Sequence, residues 1–326
     1  MIFAYTKEEN GIKRTIHSNK DQLPTNGFVW LDLYNLTPEE EKSVESFVKI
    51  NIPTREEMNE IEHSSRLYTR YGAVYMTAIL VAHADGPEPE SHAVTFILFN
   101  NLLITVRYSE FKAFKNISVN LVRFKNENYS APTIYSELLK SIVENIADSL
   151  EKLRNHIDES AKSIFRPSST ESKNERVDYQ FLLKTIGKNG ILISKMRESL
   201  ITVNRMLSYP HQSEFFLLRE SDVSILKGIS TDIGALSDYA NFLSTELNFL
   251  LDATLGMVNI EQNNIIKIFS VVSVVFLPPT LIASMYGMNF RLMPELSWPF
   301  GYPLALIMML VSAWLPFRFF KKRKWL

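Results

Sequence analysis

The stretches IFSVVSVVFLPPTLIASMYGMNF (268–290) and LSWPFGYPLALIMMLVSAWLPF (296–317) carry no charged side chain across 23 and 22 residues. At 1.5 Å rise per residue, either run as a helix crosses a hydrocarbon core about 30 Å thick. Within 262–320 the only charges are Lys267, Arg291, Glu295 and Arg318. A buried helical hairpin of a soluble protein is the alternative reading, but core helices rarely run so long without a charge. The opening MIFAYTKEENGIKR lacks the apolar stretch of a signal peptide. The sequence therefore predicts a membrane protein anchored near its C-terminal end.

Outward from these runs, the chain looks ordinary. It has 326 residues, 35 basic and 36 acidic, 46% hydrophobic, with no cysteine. Near-neutral charge argues against nucleic-acid binding. Absence of cysteine excludes disulfides, thiolate metal sites and a cysteine nucleophile. Lys321, Lys322, Arg323 and Lys324 follow the second run directly, whereas the connection between runs offers one Arg and one Glu. Positive-inside bias places this basic cluster in the cytoplasm and the connection outside. Two crossings then make both termini cytoplasmic in a multi-pass protein of the cell membrane. Trp298, Tyr302 and Trp325 fall near the expected interfaces.

The expected organisation is α+β. Residues 1–131 form a cytoplasmic α/β domain, 132–216 a helical hairpin, and 217–286 a long stalk helix whose first span occupies about 265–286. Residues 287–300 form an outer loop, 301–320 the second span and 321–326 the basic tail. FVWLDLY (28–34), AVYMTAILVAH (73–83) and AVTFILFNNLLITVRY (93–108) read as strands, the last turning at Asn100-Asn101. TPEEEKSVESFVKI (37–50) starts a helix with a Thr cap, a Pro at its first position and three acids; DGPEPE (85–90) is a loop. Ile134, Leu138, Ile142, Ile146, Leu150, Leu153, Ile157 and Ile164 share one helical face, with an exception around Ala161. RPSSTESKNER (166–176) turns the chain, and Tyr209-Pro210 breaks the second helix of the hairpin.

Positions 226, 229, 233, 236, 240, 243, 247, 250, 254 and 257 alternate three- and four-residue steps, and all but Thr254 are apolar. This is a coiled-coil seam. No breaker precedes the first span, so one helix of about 100 Å is expected, and a helix of that length needs partners. On another face Asn259, Asn263, Ile266, Ser270, Ser273, Leu277, Thr280 and Ser284 form a line that continues into the bilayer. Polar groups at that depth pack against a neighbouring helix or line water. Continuity from stalk through span favours an oligomeric pore, with Ile266 and Leu277 as apolar rings that dewet and close it. Pro278-Pro279 either kinks this helix or is simply tolerated.

Tyr286-Gly287-Met288-Asn289-Phe290, the following Met293-Pro294-Glu295-Leu296, a second span and a terminal KKRKWL together resemble the CorA family of magnesium and cobalt channels. The motif match covers about 260–326; the remainder agrees in layout. The resemblance implies a homopentamer with a cytoplasmic funnel, five long helices around the pore, and selectivity at a ring of Gly287, Met288 and Asn289. Mg²⁺ dehydrates reluctantly, so its filter should contact the hydrated ion, and neutral Asn289 amide oxygens accept hydrogen bonds from its waters. Gly287 would let the backbone turn sharply. Glu295 would concentrate cations at the rim. The expected ions are Mg²⁺, as cargo and regulator, then Co²⁺ and Ni²⁺. The family also implies regulatory divalent ions held between subunits; the expected acidic position falls on Gly228, leaving Asp232 and Asp222 as substitutes. Partners are the chain itself and membrane lipid, with no nucleic acid and no organic cofactor. The rival readings are a zinc transporter resembling ZntB, coupled to protons, and a membrane-anchored coiled-coil scaffold or sensor. Histidines 17, 63, 83, 92, 156 and 211 show no metal-ligand spacing, and no nucleophile motif points to an enzyme.

Overall fold

The computed structural model describes residues 1–8, 11–17, 27–60, 62, 66–86, 88–123, 129–165, 178–209, 219–289, 293–294, 298–323 and 325. They divide into two units, Met1–Leu250 and Leu251–Leu326.

The first unit holds a seven-stranded sheet. Its strands are β1 (Ile2–Glu8), β2 (Gly11–His17), β3 (Phe28–Tyr34), β4 (Leu67–Arg70), β5 (Ala73–Ala82), β6 (Glu90–Phe99) and β7 (Leu102–Arg107), in the order β2-β1-β3-β7-β6-β5-β4. Only β3 and β7 run parallel. A parallel pair needs a crossover, and helices α1 (Pro38–Val48) and α2 (Arg55–Met58) lie in the connection with β4–β6. The long apolar run splits at Asn100 and Asn101, with φ of 48° and 61°. Asparagine tolerates this left-handed pair, so a tight hairpin closes without glycine. Tyr71 and Gly72 (φ 51° and 77°) do the same between β4 and β5.

Helix α1 starts as its sequence requires. Thr37 Oγ1 accepts from the Glu40 N–H at 3.3 Å, and the Thr37 N–H donates to Glu40 Oε2 at 3.0 Å. This capping box satisfies two free donors of the first turn. Glu40 also takes the Met1 ammonium at 3.1 Å. Burial opposes ionisation of Glu40, but the Thr37 N–H and that ammonium outweigh it and hold the carboxyl below its ordinary value.

One sheet face packs Leu31, Leu33, Ile97, Ile104 and Val106 on Val44, Val48 and Met58. On the other, Trp30 and Phe96 meet Phe114 of α3 (Lys112–Arg123) with ring centroids 6.2 and 6.1 Å apart. Buried here is an ion pair: Arg107 Nη2 donates to Asp32 Oδ2 at 2.9 Å, while Trp30 Nε1 donates to Thr105 Oγ1, which donates to Asp32 Oδ1. Each of these four side chains is hydrogen-bonded within the network, the condition under which buried charge is tolerated. Strands β1, β2 and β4, helix α3 and this pair were not read from sequence. The available signal was an Asp and an Arg set inside apolar strands.

Helix α4 (Ala131–Phe165) buries all eight residues of its expected face, and Ser160 fills the exception at Ala161. Helix α5 (Tyr179–Ser208) ends at Tyr209, while residues 166–177 and 210–218 lie outside the described residues. Helix α6 (Glu220–Tyr286) follows, 67 residues without a break through Pro278 and Pro279; α7 (Gly301–Lys322) closes the chain.

The seam of α6 corrects one expectation. Leu226, Ile229, Ile233, Ala240, Leu243, Leu247 and Leu250 are all buried inside a single subunit. Arg154 of α4 pairs with Glu246 at 2.8 Å, Phe165 stacks on Phe249 at 6.1 Å, and Asn204 of α5 accepts from Ser230 at 3.5 Å. Over these residues the heptad finds its partners within the chain, so this part of the helix does not itself call for an oligomer.

Candidate functional site

Among the described residues, α6 and α7 are the two helices long and apolar enough to cross a membrane. From residue 261 onward, α6 is least exposed at 271, 275, 278, 279, 282 and 286. Steps of three and four make these one side of the helix. Val275 shares an apolar cavity with Leu310 and Trp314, which puts α7 against that side.

The polar line lies opposite. At about 100° per residue, Ser273, Leu277 and Ser284 stand two residues beyond Val271, Val275 and Ile282, roughly 200° around the helix. Asn263, Ile266, Ser270, Ser273, Leu277, Thr280 and Ser284 are all exposed in the single chain, Ile266 at 61% and Leu277 at 65%. The line is therefore not glue between α6 and α7 of one subunit. Ser273 donates to the Phe269 carbonyl at 2.9 Å and Thr280 to the Phe276 carbonyl at 2.7 Å. With those protons used within the helix, the hydroxyls offer acceptor lone pairs outward. Acceptors at Ser273 and Thr280 suit groups that donate, such as the waters of a hydrated cation.

At its end, α6 tightens. Gly287 N–H donates to Ala283 O at 3.0 Å, and Met288 N–H to Met285 O at 3.3 Å. Gly287 is not among the described glycines with positive φ, which are Gly11, Gly27 and Gly72. Its small size matters instead, because a Cβ there would sit 3.3 Å from the Ala283 carbonyl oxygen and 3.5 Å from that of Ser284. Met288 and Asn289 are exposed just past the helix end. Phe290 and Glu295 lie outside the described residues, as does Lys324.

Lys321 and Lys322 occupy the last turn of α7, where cations complement the helix dipole. Arg323 follows, its N–H donating to Phe319 O at 3.1 Å and its guanidinium 5.5 Å from the Phe319 ring centre.

The two candidate regulatory acids differ. Asp222 is 1% exposed, accepts from Thr133 of α4 at 3.3 Å, and leaves Oδ2 without a partner. Asp232 is exposed, and Gly228 meets nothing within 4 Å of where a Cβ would be. Among the described residues no three His, Asp or Glu gather as a metal cluster within one subunit. His17 pairs with Thr15 at 2.9 Å and His92 with Glu90 at 2.8 Å, ordinary surface contacts.

Comparison with known proteins bears on this arrangement. A family model described as CorA-like Mg²⁺ transporter protein matches residues 25–322. The chain is 31% identical to the magnesium transport protein CorA of Wolinella succinogenes over 335 residues, covering 100% of both. It is 31% identical to that of Escherichia coli K12 over 331 residues, again covering 100% of both. Its fold is similar to the complete structure of the CorA magnesium transporter from Methanocaldococcus jannaschii, with TM-score 0.73 at 18% identity, covering 100% of this chain and 99% of that one.

Proposed function

This chain belongs to the CorA family, and from that premise we propose that it is a Mg²⁺ channel of the cell membrane, built as a homopentamer with both termini in the cytoplasm. The observation that carries the reading is the exposed polar line on the side of α6 turned away from α7. In a ring of subunits that side faces the axis and α7 faces lipid. The line leads to Gly287, Met288 and Asn289, where five Asn289 amide oxygens accept from the waters of hydrated Mg²⁺. Neutral acceptors hold the ion weakly enough to release it. Ile266 and Leu277 form aliphatic rings that close the path by excluding water. Glu295 concentrates cations outside, and the four cations at 321–324 set the field at the inner mouth. Passage is passive, and Co²⁺ and Ni²⁺ share the path because hydrated divalent ions resemble one another.

Regulation by internal Mg²⁺ is assigned to exposed Asp232, facing a neighbouring subunit, with Asp222 as a second carboxylate held within its own subunit by Thr133. Such an ion stabilises the closed assembly by an amount that rises with the logarithm of its concentration above its dissociation constant.

The test is ion flux through the purified protein in liposomes, against Mg²⁺, Co²⁺, Ni²⁺ and Zn²⁺, with and without a pH gradient. Mg²⁺ uptake indifferent to the gradient is the expected result. Zn²⁺ transport that requires the gradient would move the chain to the proton-coupled branch. No flux of any ion from well-assembled protein would leave a scaffold.

A further inference from the structure

Where α6 and α7 lie together they leave an open groove of about 440 Å³, lined by Val275, Leu310, Val311, Ala313, Trp314 and Phe317. No polar side chain lines it. At this position on two spanning helices, only hydrocarbon matches it, from a lipid tail or from another helix.

The cations at the end of α7 decide between them. Leu310, Trp314, Phe317 and Lys321 succeed one another at steps of four, three and four, so the lining side of the helix runs straight to Lys321. Arg318 stands one turn below Trp314, its guanidinium 5.2 Å from the ring centre. Lys321 is seven residues past Trp314, roughly 10 Å along the axis. That spacing puts a cation pair at headgroup depth directly below an apolar slot. A neighbouring copy, inserted in the same direction, brings cations of its own to that depth and so offers Arg318 and Lys321 no opposite charge. An anionic headgroup is complementary in charge and position.

We propose that this groove seats one acyl chain of an anionic phospholipid whose phosphate is held by Arg318 and Lys321. The tail supplies the apolar contact that the helices leave unmade, and the two cations give the preference for negative charge. The inference rests on the reading that both helices cross a bilayer.

Trp314 reports on the groove directly. The full-length protein is reconstituted in phosphatidylcholine vesicles, to which phosphatidylglycerol or further phosphatidylcholine with brominated acyl chains is added, and tryptophan quenching is read. Subtracting a Trp314→Phe control isolates Trp314 from the other tryptophans. The proposal expects brominated phosphatidylglycerol to quench at a mole fraction roughly tenfold lower than brominated phosphatidylcholine. Arg318→Gln with Lys321→Gln should erase that preference while keeping quenching by the neutral lipid. Ala313→Leu, which fills the slot and keeps the charge, should reduce quenching by both. Equal quenching by the two lipids in the parent protein would show ordinary boundary lipid and overturn the site. Absence of quenching by either, in protein that floats with the vesicles, would show the groove covered by a second copy. Protein that fails to float at all would instead overturn the membrane reading beneath the proposal.

Discussion

The two halves of α6 follow similar three-and-four periodicity and lead different lives. From Leu226 to Leu250 the seam residues Leu226, Ile229, Ile233, Ala240, Leu243, Leu247 and Leu250 are buried at 5% exposure or less. Beyond Leu251, large apolar residues stand open: Phe269 at 70%, Phe276 at 65%, Leu277 at 65%. The first half has an apolar partner within its own subunit. The second has α7 along one side and otherwise asks for lipid or for other copies. One continuous helix thus joins a part that folds by internal burial to a part whose environment is supplied from outside.

This difference is sharpest under one substitution made in each half. Leu243→Ala removes a fully buried side chain and should cost about 2–5 kcal/mol, seen as an earlier unfolding transition in urea or heat. Leu277→Ala, in the exposed half, should change the same transition by about 0.5 kcal/mol or less. Similar losses at both positions would mean that Leu277 is packed in the assembly, and would erase the distinction.

Function should divide the other way. Asn289→Ala should lower Mg²⁺ flux about tenfold or more, about 1.4 kcal/mol of barrier, with assembly unchanged by size-exclusion. Unaltered flux and ion discrimination would remove Asn289 from the filter. A smaller effect, several-fold, is expected at Leu277. Leu277→Ser wets an aliphatic ring and should raise flux at high internal Mg²⁺, whereas Leu277→Ile should leave it unchanged. A Leu277→Ser protein that melts earlier and conducts no better would put this side of the helix against protein or lipid.

The smallest effect lies outside the helix and calibrates the rest. Asp85 receives hydrogen bonds from Lys112 and from Lys152, which together hold its carboxyl below the usual range. Its folded value lies under its unfolded one. The stabilisation is therefore complete above the unfolded value and disappears as pH falls through the depressed folded value. Asp85 is 42% exposed, so solvent screens the pair, and Asp85→Asn should cost about 0–1 kcal/mol near neutral pH. A loss several times larger would show that surface charge, rather than burial, holds the first unit together.

Local rules were sufficient for much of this molecule. The Thr37 cap, the Asn100-Asn101 turn, the buried face of α4 and the two uncharged spans each depend on neighbours a few residues away. Period and composition fix such features because backbone donors, turn angles and apolar faces are local properties. Strands β1, β2 and β4 escaped because their apolar residues do not alternate cleanly, and pairing across the sheet decides which side each residue takes. The Asp32–Arg107 pair needed β3 and β7 to come together across 75 residues. Asp222 could be read as acidic, but only packing put it 1% exposed beside Thr133.

The clearest boundary between the two kinds of knowledge runs along α6. A heptad states which residues of a helix want an apolar neighbour, and a polar line states which do not. Neither says who the neighbour is, because the same stripe is satisfied by a second chain, by another helix of the same chain or by lipid. Sequence determined the spans, the long helix and its faces. Tertiary structure alone decided that α4 and α5 take the seam and that α7 lies against the side opposite the polar line.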